Sequence, residues 1–239
     1  FKNEAFLKAA SHVKKNMSRL HIAGLISSGS VHSYIDHLYA LLDLTGREGL
    51  TEVYVHVFTD GKDAPPREAA KFLEMLEERI GKQWPQARPA SVMGRFYALD
   101  RDEKWERTQT AYELLTEGKG EKISSVPEYL RASYEKDITD EFIEPAIIAN
   151  SQTGAANDNL PVIQEGDALI FSDFREDSMR QLAHSFTDEA FDKFPRKIIE
   201  NLLVATMTEY EKGIRALAAF PQLDISWPLS RVMGEADLR

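Results

Sequence analysis

Short apolar runs alternate with longer amphipathic stretches along the first hundred residues of the chain. The runs at 20–26, 51–58 and 90–93 have the length and apolar content of buried strands. The stretches at 3–16, 31–42 and 67–80 carry apolar residues at helical spacing instead. Strands that alternate with helices of this length predict parallel βαβ units.

The remainder of the chain continues this pattern less regularly. A charged segment at 94–102 follows the third strand, and a long helix then runs through Leu115 to a glycine-containing stop at 118–120. We predict a single three-layer α/β sandwich over residues 1–220, with a mainly parallel central sheet between helices, and an irregular linker at 221–239. The other predicted elements are helices at 126–136, 175–184 and 188–194, an apolar run at 146–148, and strands at 168–171 and 201–206.

Composition excludes several classes of function. A chain of 239 residues with 43% hydrophobic content can bury a substantial core, and its net charge of −10 argues against a nucleic-acid partner. The chain has no cysteine, so it offers neither a thiol nucleophile nor a zinc–thiolate site. No apolar run reaches about 18 residues and no signal peptide is recognised, so we expect no membrane partner and a cytoplasmic location.

Four segments that follow predicted strands carry candidate chemistry, and parallel strands bring such segments to one edge of a sheet. Each also has a structural interpretation: a capping turn at His32, a tight turn around residues 60–66, and exposed salt bridges for the arginines. If they converge, the cations suit a small anionic ligand, since guanidinium groups bind phosphate and carboxylate through two hydrogen bonds. The candidates are His32 in the first segment, Lys62 and Asp63 in the second, Arg95 and Arg101 in the third, and Arg175 at the start of a predicted helix in the fourth.

Other familiar site patterns are absent from the sequence. His32 and His37 are five residues apart, whereas metal-binding histidines on a helix favour a spacing of four. The polar triplet 157–159 lacks the glycine and the terminal glutamate of a calcium loop. There is no Walker loop, no dinucleotide fingerprint and no nucleophile elbow. We therefore expect this chain to bind no metal itself.

Taken together, the motifs resemble the cofactor-independent phosphoglycerate mutase family. The chain reads SSGSVHS at 27–33, DGKD at 60–63, GRFYALDRDEKWER at 94–107, TDEF at 139–142 and FSDFREDS at 171–178. The family patterns, in the same order, are SDGGVHS, DGRDxxP, GRYYAMDRDxRWER, TDEF and FxNFRxDR. The long third motif is the most specific of these matches.

The resemblance implies an enzyme that interconverts 3-phosphoglycerate and 2-phosphoglycerate in glycolysis and gluconeogenesis, without 2,3-bisphosphoglycerate. Such enzymes pair a phosphatase-like domain, which holds two Mn²⁺ ions and a phosphoryl-accepting serine, with an inserted phosphotransferase domain. This chain resembles the inserted domain alone, so we expect it to be inactive by itself. The resemblance implies a catalytic acid–base role for Asp63, and substrate binding by His32, Lys62, Asp63, Arg95, Arg101 and Arg175.

Five positions depart from the family patterns. Lys62 replaces an arginine and keeps the charge without the fork, whereas Ser178 replaces a second arginine and loses the charge. Ser28 and Ser30 replace aspartate and glycine, and Asp173 replaces asparagine. These changes leave an alternative open, in which the chain is an inactive or specificity-shifted relative that binds a phosphorylated metabolite or a protein.

Overall fold

The strands and helices alternate along the chain in this computed structural model, which describes residues 2–149, 160–222, 227 and 229–236. The strands are β1 (Leu20–Ile26), β2 (Val53–Thr59), β3 (Ala87–Gly94), β4 (Glu121–Ile123), β5 (Ala146–Ile148), β6 (Ala168–Phe171), β7 (Leu203–Thr208) and β8 (Leu217–Phe220). The helices are α1 (Glu4–Asn16), α2 (Ile35–Arg47), α3 (Ala69–Gln83), α4 (Arg95–Ala98), α5 (Trp105–Glu117), α6 (Val126–Glu135), α7 (Arg180–Thr187) and α8 (Leu229–Glu235), with a 3-10 turn at Asp140–Phe142.

The described strands form one sheet in the order β4-β5-β3-β2-β1-β6-β7-β8. All neighbouring strands are parallel except β3 and β5, which pair antiparallel. Apolar side chains of α1, α2, α3 and α6 pack on one face, and those of α4, α5 and α7 pack on the other. Every residue of β1 and β2 is buried, because both faces of the central strands are covered. The predicted three-layer α/β sandwich is confirmed.

A row of polar side chains crosses the centre of this sheet. His21 on β1 lies 3.1 Å from Asp167 and 2.9 Å from His56 on β2, and His56 lies 2.7 Å from Ser91 on β3. All four side chains are buried. Burial lowers the pKa of both histidines, so the two rings are neutral and joined by hydrogen bonds.

Two helices begin later than predicted. The second helix starts at Ile35 rather than at residue 31, because Ser33 donates its hydroxyl proton to the carbonyl of Leu25 and holds 27–34 as a loop. The helix predicted to begin at Arg175 starts at Arg180. The main-chain N–H groups that follow β6 are directed to the carbonyl of His32 instead of into a helix.

Three further predictions were wrong. Residues 188–194 form turns rather than a helix, and the guanidinium of Arg196 binds the main-chain carbonyls of Ser185 and Asp188. Strands β4 and β8 were not predicted, since both are short and lie at the two edges of the sheet. The tail that was predicted to be irregular contains α8. The domain boundary at residue 220 stays a prediction. The triplet 157–159 lies outside the described residues.

Candidate functional site

The carboxyl ends of β3, β2, β1 and β6 lie side by side at one edge of the sheet. The four predicted segments follow these strands and therefore meet there. The 3-10 turn at Asp140–Phe142 packs between two of them at very close range. A Cβ atom on Gly94 would lie 2.2 Å from the carbonyl oxygen of Glu141, and one on Gly61 would lie 2.6 Å from its main-chain nitrogen. Glycine is therefore required at both positions.

Asp140 anchors that turn to the rest of the domain. Its carboxylate accepts the main-chain N–H groups of Glu68 and Ala69 at the start of α3, at 2.9 and 3.0 Å, and the hydroxyl of Tyr134 at 2.5 Å. Its carbonyl accepts the hydroxyl of Thr59, at the end of β2, at 2.6 Å. The turn is thus fixed to the end of β2 and to α3, and it holds the two glycine-containing loops in place.

Arg95 is the centre of the site. Its Nη1 atom lies 2.6 Å from Asp60 and 2.6 Å from Asp63, and its Nη2 atom lies 2.8 Å from Nε2 of His32. Asp60 is buried and also accepts the hydroxyl of Ser27. Burial by itself would raise the pKa of Asp60, but hydrogen bonds from the Asp63 amide, from Arg95 and from Ser27 hold it below the usual range. Asp60 is therefore an ionised partner for Arg95.

His32 is buried against this arginine. Burial, with the positive charges of Arg95 and Arg175, lowers the pKa of His32 to about 4, although Asp63 opposes that shift from 3.2 Å away. The ring is therefore neutral at pH 7. Because a guanidinium group has no acceptor, Nε2 must itself be the acceptor toward Arg95. An atom that carries a lone pair cannot donate to a phosphate oxygen. Nε2 has one lone pair, so it can accept a hydroxyl proton only in place of the hydrogen bond from Arg95.

Arg101 and Arg175 form a second, more exposed group around one carboxylate. Asp177 accepts from Arg101 at 2.5 Å and from two nitrogens of Arg175 at 2.8 and 3.1 Å. Partial burial acts in the opposite direction, but hydrogen bonds from the two arginines lower the pKa of Asp177. The side chains of Arg101 and Arg175 are 46% and 36% exposed, so they can turn toward a ligand.

Lys62 lies at the outer rim of the site. Its ammonium group is 3.8 Å from a carboxylate oxygen of Glu141, and its side chain is 64% exposed. Its main-chain N–H donates to Asp60 at 3.2 Å. The side chain thus belongs to the same loop as Asp63, but it makes none of the direct contacts around Arg95.

Asp173 lies beneath the site. Its side chain is fully buried and accepts the main-chain N–H of Leu25 at 3.1 Å. Burial raises the pKa of Asp173 to about 7, against the opposing effects of that hydrogen bond and of the charge on Arg95. The asparagine-to-aspartate departure therefore places a carboxyl group that titrates near neutrality under the site.

The structure brings the predicted residues to one edge of the sheet in two groups. His32, Asp63 and Arg95 are in mutual contact, and Arg101 and Arg175 share Asp177, with Lys62 at the rim. Arg175 and Ser178 do not share a helical face, because both precede α7. The roles of these residues in binding and catalysis stay predictions.

Sequence reasoning missed the acidic partners of the arginines. Asp60 was predicted only as part of a tight turn, and Asp177 was not singled out, yet each one binds an arginine of the site. The signal available was their position next to candidate residues in two of the motifs. Arg107 is structural, since it binds the buried Asp100 at 3.1 Å and lies 3.8 Å over the ring of Phe96.

No group of three or more His, Asp or Glu side chains suited to a metal ion occurs within the described residues. In the same part of the chain, no helix has the length and apolar composition needed to cross a membrane.

Residues 1–212 match the family model described as the N-terminus of 2,3-bisphosphoglycerate-independent phosphoglycerate mutase. The chain belongs to this family. The resemblance read from the sequence motifs is thereby confirmed.

Two relatives and one solved structure show how much of such a protein the chain represents. It is 44% identical to the 2,3-bisphosphoglycerate-independent phosphoglycerate mutase of Moorella thermoacetica, over 100% of this chain and 46% of that protein. It is 40% identical to the mutase of Salinibacter ruber, over 98% of this chain and 45% of that protein. A structure of Leishmania mexicana phosphoglycerate mutase at low cobalt concentration matches with a TM-score of 0.86 and 25% identity, over 98% of this chain and 44% of that one. The chain therefore spans about half the length of its curated relatives.

Proposed function

We propose that this chain is the substrate-binding, phosphotransferase part of a phosphoglycerate mutase that interconverts 3-phosphoglycerate and 2-phosphoglycerate. The observation that carries the proposal is the meeting of His32, Asp63 and Arg95 with Arg101 and Arg175 at one edge of the sheet. A small ligand with a phosphate and a carboxylate needs several cations that converge. Family membership makes phosphoglycerate the first candidate for that ligand.

The cations divide between fixed and adjustable groups. Arg95 is 11% exposed and held by two carboxylates, so it provides a positive charge at a constant position. Lys62, Arg101 and Arg175 are more exposed, and we propose that they turn from their present acidic partners to the anionic groups of the ligand. Phosphate and carboxylate oxygens then replace the side chains of Glu141 and Asp177.

Asp63 and His32 provide the proton chemistry of this proposal. Asp63 is 27% exposed and faces the same space as Nε2 of His32, 3.2 Å away. Asp63 takes the proton from the glycerate hydroxyl that is to be phosphorylated, and returns it in the reverse direction. Nε2 of His32 accepts a hydrogen bond from the substrate in place of the one from Nη2 of Arg95, and so orients that hydroxyl.

Acceptance of the phosphoryl group belongs, in this proposal, to the part of a full-length relative that this chain does not match. We propose a phosphatase-like domain there, with a serine that accepts the phosphoryl group and two Mn²⁺ ions that stabilise the charge on it. The acidic and histidine side chains of this chain's site are engaged with arginines and do not suit a metal pair. The isolated chain is expected to be inactive, and no 2,3-bisphosphoglycerate is required. The cytoplasmic location stays a prediction.

The alternative proposal is an inactive or specificity-shifted relative, and two observations favour it. Ser178 is buried and adds no charge to the site, and Lys62 stands at the rim without a fork. Activity of the full-length polypeptide separates the two functions. Interconversion of the two phosphoglycerates supports the mutase, whereas binding without turnover supports the alternative.

Calorimetric titration of the chain with 3-phosphoglycerate tests binding at this site. Arg101→Ala removes one charge-assisted contact to the ligand and is expected to weaken binding about tenfold or more. Arg131→Ala is the matched control, because Arg131 is a similarly exposed arginine of α6 that pairs with Glu74. Equal affinity of the two variants contradicts the proposed site.

A further inference from the structure

Ser178 and His32 close a ring of hydrogen bonds at the floor of the site. The main-chain N–H of Phe174 donates to the carbonyl of His32 at 2.8 Å, and that of Arg175 lies 3.4 Å from the same oxygen. The side chains are joined as well. Nδ1 of His32 lies 2.8 Å from Oγ of Ser178, and this hydroxyl lies 3.3 Å from the carbonyl of Arg175. His32 is thus joined to the 174–178 loop through its main chain and its ring.

The partners of His32 determine which ring nitrogen carries the proton. Nε2 is 2.8 Å from Nη2 of Arg95, which can only donate, so Nε2 has the lone pair. The proton of the neutral ring is then on Nδ1 and is donated to Oγ of Ser178. Ser178 can accept it because its own hydroxyl proton has an acceptor in the carbonyl of Arg175. Every donor in this ring has an acceptor.

We propose that Ser178 is a positioning residue that holds His32 in the Nδ1–H tautomer, so that the Nε2 lone pair faces Arg95 and Asp63. The use of this lone pair as an acceptor for a substrate hydroxyl rests on the proposed function, whereas the tautomer itself does not. Ser178 is buried next to His32, so no solvent is available to replace its hydroxyl.

Without the hydroxyl of Ser178, a proton on Nδ1 would have no acceptor. A proton on Nε2 could be donated to Asp63, 3.2 Å away, provided that Nη2 of Arg95, now 2.8 Å from Nε2, turns aside. That change would remove the acceptor at Nε2 and engage the carboxylate that serves as the proposed base. The hydroxyl of Ser178 thereby keeps both Nε2 and the Asp63 carboxylate as hydrogen-bond acceptors.

Nitrogen NMR of the 239-residue chain, labelled with ¹⁵N-histidine and recorded at pH 7, tests this proposal. In the unmodified chain, long-range ¹H–¹⁵N correlations are expected to show His32 protonated at Nδ1 and unprotonated at Nε2. His32→Gln identifies the signal by its loss. In Ser178→Ala the Nε2–H form is expected to become the major one, whereas Ser178→Thr, which keeps a hydroxyl, is expected to retain the original pattern.

Ser185→Ala is the matched control for loss of a buried hydroxyl. Ser185 is fully buried on α7 and donates to the carbonyl of Leu182 at 2.6 Å, without contact to His32. It is expected to leave the His32 pattern unchanged. A predominant Nε2–H form in the unmodified chain overturns the proposal, and so does an unchanged tautomer in Ser178→Ala. If Ser178→Ala does not fold, a predominant Nε2–H form in the unmodified chain or in Ser178→Thr still overturns the proposal.

The same samples separate this proposal from the proposed function. A chain that shows the Nδ1–H form but does not bind 3-phosphoglycerate retains the positioning role and contradicts the function. A chain that binds 3-phosphoglycerate with His32 in the Nε2–H form contradicts the positioning role alone.

Discussion

Replacing Arg95 with alanine is the most informative perturbation of this site, because one side chain holds three others. The guanidinium contacts Asp60 and Asp63 at 2.6 Å each and His32 at 2.8 Å. Asp60 is 1% exposed, so loss of Arg95 leaves a buried carboxylate without its counter-charge. We expect Arg95→Ala to destabilise the fold as well as to remove a ligand contact.

The size of the expected loss of stability follows from the environment of Asp60. Removing one member of a buried ion pair costs about 3–5 kcal/mol. Asp60 keeps three donors, the hydroxyl of Ser27 and the amides of Lys62 and Asp63, so we expect a loss at the lower end, about 3 kcal/mol. For a domain of this size, that loss corresponds to a fall in Tm of about 6–12 °C.

The assay is scanning calorimetry at pH 7, with Arg101→Ala as the control. Arg101 has the same charge, but its bridge to Asp177 is exposed, so we expect a loss of about 0–1 kcal/mol. In Arg95→Ala the pKa of His32 should also rise from about 4, because the charge of Arg95 contributes to its lowering and Asp63 remains. A Tm of Arg95→Ala equal to that of Arg101→Ala would refute the argument that Arg95 holds the site together.

Three further predictions concern groups around the core and the site. Burial lowers the folded-state pKa of His21 and His56, so the stability that they contribute is present above about pH 6.5 and is lost as pH falls below it. The free energy of unfolding in urea should therefore be lower at pH 5.5 than at pH 7.5, and equal values would contradict this. Burial raises the folded-state pKa of Asp173 from 3.8 to about 7, so the fold loses stability as pH rises from about 4 to about 7. Asp173→Asn should stabilise the chain by up to about 4 kcal/mol at pH 8 in urea unfolding, and the gain should be smaller at pH 5. Gly94→Ala should cost about 2 kcal/mol or more in the same assay because its Cβ meets main-chain atoms, whereas Gly81→Ala in α3 meets nothing within 4 Å and should be neutral or slightly stabilising.

The fold was predictable where periodicity is strong. The first three strands are long, apolar and bounded by polar turns, and they form at the predicted places within a few residues. The errors fall where a tertiary contact competes with local preference. Residues 175–179 were predicted as helix, but α7 begins only at Arg180; in this segment the N–H of Arg175 donates to the carbonyl of His32, and the carbonyl of Arg175 accepts the hydroxyl of Ser178. Strands β4 and β8 are three and four residues long, and their pairing with neighbours defines them more than their own composition does.

The convergence of the candidate residues at one edge of the sheet was predictable, whereas the acidic partners of the arginines were not. Motif resemblance identified His32, Asp63 and Arg95, which lie in contact in the fold. It did not indicate that Asp60 and Asp177 would hold the arginines, since short-range sequence cannot show which carboxylate an arginine will reach. The ring of hydrogen bonds through Ser178 was equally inaccessible, because the residue appeared only as a lost charge.

The sequence by itself determined the class of the fold, the edge of the sheet at which the site lies, and the family. These properties depend on local hydrophobic period, strand order along the chain and short motifs, and each can be read without knowing a distance. The tertiary structure alone decided the ionisation and hydrogen bonding of the site. Arg95 contacts Asp60, which is 35 positions away in the sequence, and His32, which is 63 positions away. Only the parallel register of β1, β2 and β3 brings these side chains within 3 Å. A pKa depends on burial and on charges at that range, so the neutral state of His32 and the near-neutral titration of Asp173 follow only once the strands are paired.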